Sequence, residues 1–220
     1  LRWRVEGFDS PADVQLLRSG RILIAEFWTN RVTERDRSGQ ILWERKVNNH
    51  PVTAIRLRNG NTLIATSDEV FELDPNGKAI FNYKHTGSSI YCACKQRDGH
   101  VLFIDGSGKV SELNEAGKPV RTFVAERHAS GASYWASIEP LPNGRYLMCL
   151  SGANMVVETD AAGKIHWECS VPAATYATRL GNGNTLVANS NGRVVVEVDR
   201  AGKEVWKQTT KGRPFRARRS

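Results

Sequence analysis

Leu57-Arg58-Asn59-Gly60-Asn61-Thr62-Leu63-Ile64-Ala65, a tight turn followed by an apolar run, decides the fold because residues 17–25, 96–104, 141–149 and 180–188 copy it. The turn glycines Gly20, Gly60, Gly99, Gly144 and Gly183 recur about every 40 residues. Asn-Gly, Asp-Gly and Ser-Gly suit a hairpin whose backbone needs positive φ, which Gly and Asn tolerate best. Each copy therefore joins two antiparallel strands.

A second pattern, Val-x-Glu-x-Asp-x-x-Gly, follows each turn at residues 32–39, 70–77, 110–117, 156–163 and 195–202, with Asn114 replacing Asp in the third copy. Asp with Gly three positions on closes a type I turn with a Gly bulge, so this is a second hairpin. The strand after it carries Trp43, Phe81, Trp167 or Trp206, and Arg121 breaks the pattern in the third copy. Each repeat is thus four strands, a to d in chain order.

Four-stranded units repeating at this spacing predict an all-β chain, a β-propeller of four-stranded antiparallel blades, because one blade cannot bury both faces alone. Five complete blades are expected. Trp3 stands 17 residues before Gly20, as Trp43 stands before Gly60, so residues 1–5 read as a strand d. Pro214 follows Trp206 by eight, as Pro51 follows Trp43, so residues 214–219 read as a strand a. These two end strands would share a partial sixth blade; a seven-bladed parent and a closed ring of five remain alternatives. An incomplete blade leaves strand edges open to self-association. Residues 1–220 read as a single propeller domain excised from a longer protein.

The repeats resemble those of the PQQ-like and arylsulfotransferase-like propeller families. The resemblance is carried by the five Asn-Gly-Asn-Thr-Leu-Ile-Ala-like and Val-x-Glu-Leu-Asp-x-x-Gly-Lys-like segments and spans essentially the whole chain. It implies a blade architecture; no residue here matches a catalytic motif of those families, so no catalytic residue and no cofactor are assigned.

Composition narrows the function classes. With 40 % hydrophobic residues the 220-residue chain can bury a sizeable core. It has no run of 18 apolar residues and no signal-peptide layout, so no membrane partner is expected. Cys92, Cys94, Cys149 and Cys169 lack metal-site spacing and read as buried thiols of a reducing compartment, which favours a cytoplasmic setting. The net charge of +8 is concentrated in Lys211, Arg213, Arg216, Arg218 and Arg219. Such a run can follow phosphates, yet Phe215 is its only aromatic and it coincides with the expected strand a, so nucleic acid is the lesser reading.

The pairs Glu34/Asp36, Glu72/Asp74, Glu158/Asp160 and Glu197/Asp199 resemble acid/base dyads but recur in every copy. Catalysis needs one pair, whereas every hairpin needs its turn, so they read as structural. Arg56, Lys95, Arg179 and Arg219, four residues before the turn glycine or its expected place, would form a basic collar of solvated structural charge. Function belongs where copies differ, on the face that gathers the b-to-c and d-to-a loops. Trp28, His50, His85, Tyr91, Arg127, His128, Tyr134, Trp135 and Tyr176 are the candidate ligand-binding residues, and the longest loop, 125–135, enters the fourth copy. His50, His85 and His128 lie in successive d-to-a loops, but such loops diverge between blades, and no metal site is assigned. The leading expectation is a non-catalytic binding or scaffolding propeller that recognises a protein, peptide or small ligand. Its alternatives are a propeller enzyme of lyase, hydrolase or transferase type with its site at the channel mouth, and an engineered or excised blade array without a dedicated ligand.

Overall fold

A computed structural model describes residues 5–128 and 135–218. Among them the chain forms five four-stranded antiparallel sheets, each in the order of the sequence. Blade 1 is β1 (Pro11–Leu16), β2 (Ile22–Glu26), β3 (Arg31–Arg35) and β4 (Ile41–Lys46); blade 2 is β5 (Pro51–Arg56), β6 (Thr62–Thr66), β7 (Glu69–Leu73) and β8 (Ala79–Lys84). Blade 3 is β9 (Ile90–Lys95), β10 (Val101–Asp105), β11 (Val110–Leu113) and β12 (Pro119–Phe123). Blade 4 is β13 (Ala136–Pro140), β14 (Tyr146–Leu150), β15 (Met155–Thr159) and β16 (Ile165–Ser170); blade 5 is β17 (Ala174–Arg179), β18 (Thr185–Asn189), β19 (Val194–Val198) and β20 (Glu204–Thr209). The architecture is the propeller that the repeats predict. Two compact units, Leu1–Ala93 and Cys94–Ser220, divide the chain within β9.

Turn chemistry builds the hairpins as expected. All five a-to-b glycines take positive φ, between 75° and 90°. In the c-to-d turns the Asp Oδ1 accepts two backbone N–H bonds, as Asp74 does from Asn76 and Lys78, both at 2.9 Å. Asn114 Oδ1 makes the same pair with Ala116 and Lys118, so the turn uses the oxygen and not the charge. A ladder irregularity follows the repeated Glu in each blade, as at Glu34/Arg35 and Glu158/Thr159, which is the bulge required by the turn. Gly163 (φ 86°) is required twice over, because a Cβ there would lie 1.9 Å from the carbonyl oxygen of Val124.

Strands b and c are the most buried, and adjacent blades share their apolar faces. Leu23, Ala25 and Val32 of blade 1 pack with Ala54, Ile64, Phe71 and Leu73 of blade 2, and Trp43 covers them. Leu147, Cys149 and Val156 of blade 4 pack with Ala177, Val187 and Val196 of blade 5 beneath Trp167. None of the four cysteines is in a disulfide; Cys92, Cys149 and Cys169 are buried and Cys94 is half-buried.

The free edge of strand a would leave alternate N–H groups unpaired. Side chains of the preceding blade supply acceptors for them. Asp13 Oδ2 accepts Ala54 N–H at 3.1 Å and Gln15 Oε1 accepts Arg56 N–H at 2.6 Å. Thr53 Oγ1 takes Ala93 N–H at 3.1 Å, and Glu139 Oε1 takes Arg179 N–H at 3.4 Å.

The repeated glutamates are not turn residues. Each is buried, with 1–8 % exposure, and accepts from the side chain just after the a-to-b turn glycine: Arg21 to Glu34, Asn61 to Glu72, His100 to Glu112, Arg145 to Glu158 and Asn184 to Glu197. Two also hold the next blade. Arg56 Nη2 lies 2.9 Å from Glu34 Oε2 and its guanidinium covers the Trp43 ring; Arg179 Nη2 lies 2.8 Å from Glu158 Oε2 and covers Trp167. The expectation of a collar of solvated charge is corrected at these two positions, where carboxylate and indole leave the Arg56 and Arg179 side chains 26 % and 13 % exposed, and Arg219 lies outside the described residues.

His100 gives this latch a pH dependence. Its Nδ1 sits 2.7 Å from Glu112 Oε1, and that hydrogen bond raises the imidazole pKa above the ordinary value. A raised folded-state pKa stabilises fully below the unfolded value near 6.5, and the contribution is lost as pH rises through the folded value. Urea unfolding of wild type, compared with His100→Asn, is expected to show an advantage of about 0.2–1 kcal/mol at pH 6 that disappears by about pH 8.5. A difference that does not change with pH would contradict it.

The ends depart from the expected strands. Residues 1–4 and 219–220 lie outside the described residues, and the described remainder, 5–8 and 214–218, forms no strand. Each still packs beside a blade of its own unit. Gly7 carbonyl accepts from Arg35 Nη1 at 3.3 Å and the Phe8 ring lies under the Arg35 guanidinium. Thr175 Oγ1 donates to the carbonyls of Pro214 and Phe215 at 3.2 and 3.1 Å. No helix among the described residues is long and apolar enough to cross a membrane.

Candidate functional site

The b-to-c and d-to-a loops of a blade are bonded to each other. Asn30, Asn154 and Arg193, all at positive φ, end the b-to-c loops, and their carbonyls accept N–H from Val47, Val171 and Thr210 at 2.8–2.9 Å. In blade 2 the Asp68 carbonyl accepts from His85 N–H at 2.8 Å. Loops tied in this way lose little freedom when something binds to them.

In the first unit these loops carry an aromatic group. His50 stacks on Phe27 with ring centroids 4.4 Å apart and planes 18° from parallel. Its Nδ1 lies 3.2 Å from the Phe27 carbonyl and 3.0 Å from Asn30 Oδ1. Trp28 meets both rings edge-on, at 4.9 Å from Phe27 and 5.1 Å from His50, and remains 63 % exposed. A large indole is therefore fixed from below and open above.

At the end of β2, two residues before Trp28, lies a buried ionic group peculiar to blade 1. The fully buried Glu26 accepts from Thr33 at 2.7 Å, from Arg35 at 2.6 Å and from Arg31 at 3.0 Å. Burial alone would raise the Glu26 carboxyl; the bonds from Thr33, Arg35 and Arg31 outweigh it and hold the pKa below the ordinary value.

In the second unit a cleft of about 330 Å³ opens between the loops of blades 4 and 5 and the C-terminal segment. Trp135 and Phe215 meet edge-on across it, centroids 5.4 Å apart. Its polar lining includes Asn154, Thr175, Asn191 and Arg213, and neither an acidic residue nor a histidine lines it among the described residues. Below, Arg216 lies 4.3 Å over the ring of Tyr176 and donates to its hydroxyl at 3.1 Å. Burial, with the nearby Arg218, lowers the Arg216 pKa well below the ordinary value. The basic tail is thus not one solvated run, because Arg216 is turned into the protein.

Of the nine sequence candidates, Trp28 and His50 come together, and Arg127 and His128 share Glu168, each at 3.2 Å. Trp135 and Tyr176 meet the C-terminal segment, at Phe215 and Arg216. His85 lies by Tyr83 at 6.4 Å, Tyr91 is half-buried on β9, and Tyr134 falls outside the described residues. Among the described residues the three loop histidines join no group of metal-ligating atoms; Asp98, His100 and Glu112 do, but this is the blade carboxylate with its post-turn partner. Sequence reasoning missed Phe27, Asn191, Arg213 and Phe215 as site residues. Phe215 had a signal, as the single aromatic in a cationic stretch.

Compared with known proteins, residues 29–180 and 106–220 match a family model described as outer membrane protein assembly factor BamB. No curated protein matches in sequence. Solved structures similar in fold include a protein of unknown function from Bacteroides caccae, with TM-score 0.73 and 18 % identity over 86 % of this chain and 72 % of that one. A streptogramin B lyase has TM-score 0.72 and 16 % identity, with 97 % and 73 % covered. The WD40 propeller domain of Doa1 has TM-score 0.73 and 12 % identity, with 95 % and 71 % covered. At such identities the likeness to these structures is one of fold.

Proposed function

Because the chain belongs to the propeller-repeat family whose model is described as outer membrane protein assembly factor BamB, we propose that it is a non-catalytic binding module. It holds a protein or peptide partner on its blade loops. The observation that carries this reading is Trp28: a 63 % exposed indole, clamped edge-on by Phe27 and His50, on loops tied to each other. Rigid exposed tryptophans are the residues on which interface energy concentrates. The family description supports a partner of protein type, since it names an assembly factor.

The partial sixth blade belongs to the same proposal. Supporting it, residues 5–8 and 214–218 each lie along a blade of their own unit on the side where a neighbouring blade would pack.

Selection of random dodecapeptides against the wild-type chain tests the function. Peptides of micromolar affinity are expected, and Trp28→Ala should weaken them about 30-fold, the scale of a hot-spot residue, without shifting the thermal midpoint. Failure to select any peptide, or equal binding by the variant, would remove the reading. The enzyme alternative shares only a fold with the lyase, and selected peptides that are chemically altered on incubation would favour it.

A further inference from the structure

We propose that the cleft of blades 4 and 5 is a second binding site, which takes a carboxylate attached to a small apolar group. Its walls have two characters. Trp135 and Phe215 present ring surface, while Asn191 and Arg213 present donors at the cleft. Neither of these two polar side chains has a hydrogen-bond or ion-pair partner among the described residues. With no carboxylate in the lining, the charge that Arg213 would meet is not supplied by the protein; a ligand carboxylate fits its planar donor fork in two-point fashion. The Asn191 amide adds a neutral donor, and Asn154 spends its Oδ1 on Ala173 N–H at 2.9 Å, which fixes its side chain at the wall.

Size limits the ligand. About 330 Å³ lies at the small end of ligand sites, enough for one or two residues of a chain or a compact organic acid. The apolar group would lie against Trp135 and Phe215 and the carboxylate against Arg213. The source can be a peptide C-terminus or a free small acid. A phosphate ester or inorganic anion would meet the guanidinium but leave the aromatic pair unused. The site lies wholly in the second unit and does not depend on Trp28.

Titration calorimetry with N-acetyl-leucine, with an acetylated tripeptide ending in leucine, and with the C-terminal amide of that tripeptide tests the assignment. At least one acid is expected to bind in the millimolar range or better, and the amide at least tenfold more weakly. Arg213→Gln should lose the difference between acid and amide, and Trp28→Ala should bind as wild type. The tripeptide binding better than N-acetyl-leucine identifies a chain terminus, and the reverse a free acid. Equal binding of acid and amide, no binding of either acid at 10 times the millimolar range, or an unaffected Arg213→Gln would overturn the proposal. Arg213 is exposed, so its replacement should leave the fold intact, and an unchanged circular dichroism melt verifies that. Failure to select any dodecapeptide, with N-acetyl-leucine still bound, would remove the Trp28 reading and leave this one standing.

Discussion

Glu158→Ala is expected to lower the unfolding free energy by about 3–5 kcal/mol, the cost of removing one partner from a buried ionic group. For a chain of this size that corresponds to a fall of roughly 10 °C in Tm. The carboxylate side chain is 3 % exposed and receives three guanidiniums: Arg145 from its own blade at 2.9 Å, and Arg179 and Arg200 from the next at 2.8 and 2.6 Å. Two of these also cover the Trp167 ring, whose Nε1 donates to the Arg200 carbonyl at 2.8 Å. Deleting the carboxylate leaves these cations clustered about one indole with their shared anion gone. Arg145→Ala, by contrast, removes a half-exposed donor and should cost no more than about 1 kcal/mol.

Acid adds an independent readout. Burial pushes the Glu158 carboxyl up, but the bonds from Arg200 and Arg145 prevail and hold its pKa below the ordinary value. A depressed folded-state pKa gives stability that is present above the unfolded value, near 4.3, and lost as pH falls through the folded one. Denaturant melts between pH 7 and pH 3 should show wild type losing part of its advantage over Glu158→Ala. A variant within 1 kcal/mol of wild type at pH 7 would show that Glu158 does not join the blades.

The hairpins were legible because their chemistry is local: Asp74 and Gly77 settle a turn with bonds no more than four residues away. The latches were not, because their bonds cross between blades. Glu34 is 22 residues from Arg56, and Glu158 is 42 from Arg200. A trace does exist in the order of the copies. Where strand d has Trp43 or Trp167, the next strand a has Arg56 or Arg179 in the matching place; where strand d has Arg121, that place is Pro140. Arg121 itself bonds Glu112, and it donates to Tyr146 of the next blade at 2.9 Å. The arginine has moved from the following blade into its own, so the carboxylate keeps a guanidinium although the copy departs from the repeat. The candidate site was legible only as a set of loops. That Trp28 rests on His50, or that Phe215 meets Trp135, depends on how separate loops pack, which residue spacing does not encode.

Glu26 offers the opposite test, because its ionic group occupies places that other blades fill differently. Blade 4 has Leu150, Val157 and Thr159 where blade 1 has Glu26, Thr33 and Arg35. Glu26→Leu alone should destabilise by about 3–5 kcal/mol, since the Arg35 side chain, 6 % exposed, would keep its charge without its anion. Glu26→Leu, Thr33→Val and Arg35→Thr together should fall within about 1 kcal/mol of wild type or above it, since a buried ion pair replaced by apolar packing commonly breaks even or gains. Equilibrium urea unfolding of both variants decides the matter. If the triple variant is as unstable as the single one, the contact of Arg35 with Phe8 and the Gly7 carbonyl is what blade 1 requires, and the ionic group serves to hold residues 5–8 in place. If the triple variant recovers, the charges are dispensable for folding, and peptide binding by the same variant then shows whether the group at the end of β2 holds the loop that carries Trp28.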